Sequence, residues 1–181
     1  MTSVFIGGSR AVSRLNPTIA SKLDELISKG CQVFVGDANG ADKAVQEHFA
    51  NRGYEHVLVY CMDECRNNIG NWPTRNVTSL SARRDFAYYA AKDHAMAEDA
   101  KCGIMLWDGK SKGTLNNIQH LITAGKKALV YLSAERAFHK IVNEQELDAL
   151  LERCDPHAVD RAQREIKTKL SAQLPLHAPN A

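Results

Sequence analysis

The chain has 181 residues, 44% of them hydrophobic and 24% charged, the make-up of one folded domain with a full core. Its net charge of +2 is too small for a surface that coats DNA. No apolar run approaches the roughly 20 residues of a membrane helix, and no secretory leader precedes Val4-Phe5-Ile6, so a cytoplasmic protein away from any membrane is expected.

Val4-Phe5-Ile6 is the first of five short apolar runs, and Gly7-Gly8-Ser9-Arg10 follows it. Pro17 suits the first turn of a helix, whose apolar face is Ile19, Leu23, Leu26 and Ile27 and whose end is Gly30. The second run is Cys31-Gln32-Val33-Phe34-Val35. It leads into Gly36-Asp37-Ala38-Asn39-Gly40-Ala41-Asp42-Lys43 and a helix carrying Ala44, Val45, Phe49 and Ala50. The third run, Val57-Leu58-Val59-Tyr60, precedes a turn-rich stretch over 62–78 containing Asn67-Asn68-Ile69-Gly70-Asn71-Trp72-Pro73. Loops of that length usually carry function or motion.

A long helix is expected over 81–100, with Arg83-Arg84-Asp85 in its first turn. The fourth run, Gly103-Ile104-Met105-Leu106-Trp107, ends in Asp108-Gly109-Lys110-Ser111-Lys112-Gly113-Thr114. The next helix carries Leu115, Ile118, Leu121 and Ile122 and stops at Gly125. The fifth run is Ala128-Leu129-Val130-Tyr131-Leu132. Beyond it Asn143 and Glu146 have capping-box spacing, and Asp155-Pro156 starts a last helix that frays from Ser171 onward.

Runs of this kind, apolar on both faces, are strands of a parallel sheet covered by helices on both sides. The order of elements predicts a Rossmann-like, three-layer, doubly wound α/β fold with a C-terminal helical extension. The expected division is a Rossmann-like domain over 1–135 and a helical appendage over 136–181 packed on it.

Ligands of such sheets bind beyond the carboxyl ends of the strands. Three glycine-rich turns lie there, and they supply the candidate phosphate-binding groups. These are Gly7, Gly8, Ser9 and Arg10; Gly36, Asp37, Gly40, Ala41, Asp42 and Lys43; and Gly109, Ser111, Gly113 and Thr114. Glycines let a backbone approach a phosphate, and helix N-termini favour an anion. The pattern is neither a P-loop nor a G-x-G-x-x-G fingerprint. Arg83 and Arg84 oppose a helix dipole, which fits either a phosphate partner or a solvated pair. Asp37 can meet a ribose hydroxyl or act as a catalytic base, whereas Asp42 suits a helix cap. Asp93 lies on the apolar stripe of its helix and needs a partner, either a neighbouring loop or a ligand. Trp107 and Trp72 can stack on a base or simply pack. The five cysteines are scattered and odd in number, so no disulfide framework is expected, and Cys61-x3-Cys65 lacks a second ligand pair for a metal.

The set Val4-Phe5-Ile6-Gly7-Gly8-Ser9-Arg10, Gly36-Asp37-Ala38-Asn39-Gly40-Ala41-Asp42-Lys43-Ala44, Arg83-Arg84-Asp85 and Ser111-Lys112-Gly113-Thr114 resembles the SLOG superfamily. That superfamily joins the Lonely Guy phosphoribohydrolases, the DNA-processing protein DprA and many nucleotide sensors. The nearest likeness is to its small YspA/YpsA-related branch, over about residues 3–132. The resemblance implies a Rossmann-like fold, a small nucleotide ligand held by a sensor or sequestering protein, and pairing into a homodimer through helices. It also implies an alternative, a hydrolase or transferase acting on N-glycosidic bonds. Related phosphoribohydrolases carry a glutamate where this chain has Asn117, beside Asn116. Asparagine can position a ligand but cannot serve as acid, base or carboxylate nucleophile. A DNA-binding module of the DprA type is the third class, and the near-neutral charge argues against nucleic acid as a partner.

Overall fold

A computed structural model describes residues 1–79 and 84–171 of the chain. Its strands are β1 (Ser3–Gly8), β2 (Gln32–Gly36), β3 (Val57–Cys61), β4 (Thr74–Asn76), β5 (Cys102–Trp107), β6 (Lys127–Leu132) and β7 (Ala137–Ile141). Its helices are α1 (Pro17–Ser28), α2 (Ala41–Asn51), α3 (Phe86–Asp99), α4 (Lys112–Thr123), α5 (Glu144–Leu151) and α6 (Pro156–Ser171). The strands form one sheet in the order β4-β3-β2-β1-β5-β6-β7, parallel except for β7. No helix among the described residues is long and apolar enough to cross a membrane.

The five apolar runs become the five central strands because both of their faces are covered. Val4, Ile6, Val33, Val35, Val57 and Val59 pack under α1 and α2. Phe5, Tyr60, Met105, Trp107, Val130 and Leu132 pack under α3, α4, α5 and α6. The result is the expected three-layer, Rossmann-like arrangement. The helices start where their caps place them: Asn16 accepts the Ile19 N–H ahead of Pro17, and Asn143 accepts the Glu146 N–H. Asp155 accepts the His157 and Ala158 N–H groups ahead of α6.

Three elements differ from the sequence expectation. The 62–78 stretch is not wholly irregular, since β4 adds to the sheet edge beside β3. The helix expected over 81–100 begins at Phe86, with Asp85 as its N-cap accepting the Tyr88 N–H at 3.1 Å. A carboxylate is favoured at that positive helix end and an arginine is not, so Arg84 precedes the helix. Arg83 lies outside the described residues. The segment after Leu132 is not purely helical either. It turns back through Arg136, at φ 53°, into β7, which pairs antiparallel with β6. As an edge strand of mixed character, Ala137-Phe138-His139-Lys140-Ile141 carries no apolar run to reveal it.

The chain winds outward from β1 through β2, β3 and β4, then returns to the other side of β1 as β5. The strand order therefore reverses between β1 and β5, and a crevice opens above their carboxyl ends. Gly8 lies at that point, paired with Leu106. A Cβ on Gly8 would meet the Leu106 carbonyl oxygen at 2.4 Å and the Ala41 Cβ at 2.8 Å. Backbone cannot give way as a side chain can. Gly8→Ala is therefore expected to destabilise the fold by about 1–3 kcal/mol. Urea unfolding should show a lower midpoint at unchanged slope, and an unchanged midpoint would contradict this close packing.

Candidate functional site

The crevice is a cleft of about 530 Å³. Its floor is Phe5, Gly7 and Gly8 of β1, one wall is α3, and the other is the first turns of α4. Phe86, Tyr89, Lys92 and Asp93 project from α3, while Ser111, Lys112, Gly113, Thr114 and Asn117 face them. Arg10, Arg66 and Arg84 also line it.

Beneath the cleft lies a buried ionic cluster. Asp37 follows β2 and accepts two bonds from the Arg66 guanidinium, at 2.7 and 3.0 Å, and one from the Arg66 backbone N–H at 3.1 Å. Lys92 Nζ donates to the same carboxylate at 2.9 Å and lies 4.0 Å from Asp42. Burial alone would raise the Asp37 pKa. The Arg66 hydrogen bonds and the Lys92 charge outweigh it and hold this carboxyl well below the ordinary carboxylate range. Asp37 is thus held as an ion-pair partner of Arg66 and Lys92, an arrangement that favours its charged form. Lys92 keeps its charge because Asp93, Asp42 and Asp37 outweigh the cost of its burial.

Gly36 makes the cluster possible, since a Cβ there would stand 2.3 Å from Asp42 Oδ2 and 2.7 Å from Lys92 Nζ. Asp42 does not cap α2, whose N-cap is Gly40. It accepts the Ala38 N–H at 3.2 Å and closes the β2–α2 turn. Gly40, at φ +86°, lets that turn touch the backbone of Arg10. Burial pushes the Asp42 carboxyl up to about 6, against the pull of Lys92 and with the help of Asp93. Desolvation also raises Asp93, which accepts the Asn117 amide at 3.0 Å. Asn117 therefore engages a carboxylate at the cleft wall.

Ser9 is buried and holds two turns together. Its Oγ donates to Asp108 Oδ1 at 2.9 Å and accepts the Asp108 N–H at 3.1 Å, and it lies 3.2 Å from Thr114 Oγ1. Asp108 in turn accepts the Lys110 and Ser111 N–H groups. Of the residues singled out in the sequence, Gly7, Gly8, Arg10, Asp42, Arg84, Ser111, Gly113, Thr114 and Asn117 reach the cleft. Ser9, Gly36, Asp37, Gly40 and Ala41 support it from behind. Lys43 points away and pairs loosely with Glu47 at 3.9 Å. Gly109 contributes a turn at φ +77° outside the lining. Trp107 is fully buried, and its indole N–H holds the Ser111 carbonyl. Trp72 likewise donates to the Tyr54 carbonyl. Neither indole lines the cleft.

The sequence reading missed Arg66, Tyr89 and Lys112 as cleft residues and Lys92 as the core of the ionic cluster. A lysine next to Asp93 on an apolar stripe was the available signal for Lys92. Arg66 gave none, because its partner Asp37 is far away in the chain.

No protein-family model matches the chain, and no curated protein matches it. Among solved structures it is similar to DNA processing protein A from Helicobacter pylori, solved for its single-stranded DNA binding mode. The likeness has a TM-score of 0.55 at 16% identity and covers 94% of this chain and 81% of that one. Such a likeness establishes the Rossmann-like fold. It also corrects two sequence expectations. Nucleic acid was set aside on net charge, yet the structural neighbour is described by its single-stranded DNA binding. The expected small nucleotide ligand, with its sensor and glycosidase versions, finds no support there.

The Asp42 environment has a measurable consequence. Its folded pKa of about 6 exceeds the ordinary 3.8, so its contribution to stability is full below pH 4 and is lost as pH rises through 6. Asp37 has the opposite sign, but its contribution is common to both proteins in a comparison. Asp42→Asn can still accept the Ala38 N–H and cannot titrate. It is expected to match the parent near pH 4 and to exceed it above pH 7 by at most about 3 kcal/mol. Urea unfolding at the two pH values checks this, and a constant difference would contradict it.

Proposed function

We propose that the chain is a SLOG-like Rossmann domain that binds single-stranded nucleic acid in the cleft between α3 and α4. The observation that carries the proposal is the pairing of cations with aromatic faces in one cleft. Arg10 is exposed, lines the cleft and has no acidic partner among the described residues. Arg66 keeps an exposed edge while its guanidinium lies 5.2 Å from the Tyr89 ring centre. Lys112 is tied to Glu165 of α6 and lies 5.3 Å from the Phe86 ring centre.

Strands without a partner are held by this combination, with cations along the backbone and rings against the bases. Rings set inside a cleft can reach only bases released from a duplex stack. The N-terminus of α4 adds a backbone donor at Gly113, which lines the cleft and where a Cβ would meet only Ser111 Oγ at 4.0 Å, so a phosphate fits the positive helix end. The overall +2 charge is no obstacle, because the field that matters is local to the cleft.

Fluorescence anisotropy of a labelled oligothymidylate, titrated over a range of salt, tests this. Tyr89→Ala is expected to weaken binding by about 1–3 kcal/mol through lost stacking. Arg10→Ala is expected to reduce the slope of log affinity against log salt by about 0.7. A duplex of equal length should bind more weakly. Absence of salt-dependent binding, or full affinity in both variants, would overturn the proposal.

A further inference from the structure

One cluster outside the cleft has the chemistry of a metal site. His94 and Glu98 are four residues apart on α3, so their side chains share a face. His120 projects from α4 toward them. The His94 and His120 ring centres are 3.8 Å apart, and His120 Nε2 lies 3.3 Å from Glu98 Oε1. One donor atom from each residue can be chosen so that all three lie within 4.8 Å of one another.

We propose that His94, Glu98 and His120 bind a divalent transition ion of the zinc type, stapling α3 to α4. Tetrahedral zinc with nitrogen and oxygen ligands at about 2.0–2.1 Å sets its donors about 3.3 Å apart. The His120–Glu98 pair already has that separation. His94 is exposed and can close the rest by rotating its side chain. Two imidazoles and one carboxylate are a ligand set that zinc accepts, with solvent in the fourth position. The last turn of α3, which carries Glu98, is fixed by Lys126, whose amine donates to the Ala97 and Glu98 carbonyls at 2.6 Å each.

A second trio, Asp37, Cys61 and Cys65, also brings its donor atoms together, but it is a poor rival. The Asp37 carboxylate is already taken up by direct bonds from Arg66 and Lys92. The inference is independent of strand binding, because none of His94, Glu98 and His120 lines the cleft.

The test uses the full chain without an affinity tag and Co²⁺ as a spectroscopic probe, with Zn²⁺ in a parallel titration. One ion per chain is expected, with weak visible bands of nitrogen and oxygen ligation and no intense thiolate charge-transfer band. His94→Ala and Glu98→Gln, both at exposed positions, should each weaken binding at least tenfold. Cys65→Ser should leave it unchanged. Zn²⁺ should raise the melting temperature of the parent and not that of His94→Ala. Failure to bind one ion, equal binding by the His94 and Glu98 variants, or a thiolate band would each overturn the site.

Discussion

The contact on which the cleft depends is the buried ion cluster of Asp37, Arg66 and Lys92. It joins three pieces of chain: the end of β2, the loop after the neighbouring strand β3, and the middle of α3. A buried ion pair of this kind gains little net stability over a well-packed apolar substitute, because desolvation offsets the attraction. Removing one partner is another matter, since it strands a charge in the core at a cost of about 3–5 kcal/mol. The cluster therefore specifies one arrangement of the walls. Arg66 is drawn over Tyr89 by the same carboxylate that positions Lys92, so the cleft's aromatic face and its cation are placed by one anchor.

The support behind the glycine turns follows the same logic. Gly36, Gly8 and Gly40 each admit a neighbour that a side chain would exclude. Ser9 and Asp108 then tie the first and third turns together through their hydroxyl and carboxylate. The three turns converge because of these small residues. Several of the residues that look like ligand contacts in the sequence are the scaffold for that convergence.

The layered fold was legible because burial on both faces leaves a local signature, a run such as Val57-Leu58-Val59-Tyr60. Glycine and capping residues likewise marked most helix ends. What escaped was non-local. Arg66 is one arginine in a polar loop until β2 and β3 lie side by side, and β7 carries no run because it packs at an edge. The sequence placed Arg84 inside a helix that Asp85 in fact starts. The exclusion of nucleic acid failed for a related reason: a sum of charges over 181 residues has no information about which of them share a cleft.

The central place of β1 also bears on how the chain is made. Its partner on one side, β2, follows closely, but on the other side Val4 pairs with Cys102. During synthesis the N-terminal half can assemble β1 through β4 and still leave β1 as an open apolar edge. Phe5, sealed in the finished protein on the face under α3 and α4, stays uncovered until those helices and β5 emerge. Pairings of such long sequence separation form slowly, and an exposed apolar strand edge invites association with other chains. The same strand reversal that creates the cleft leaves the half-made chain with an open strand edge at its centre.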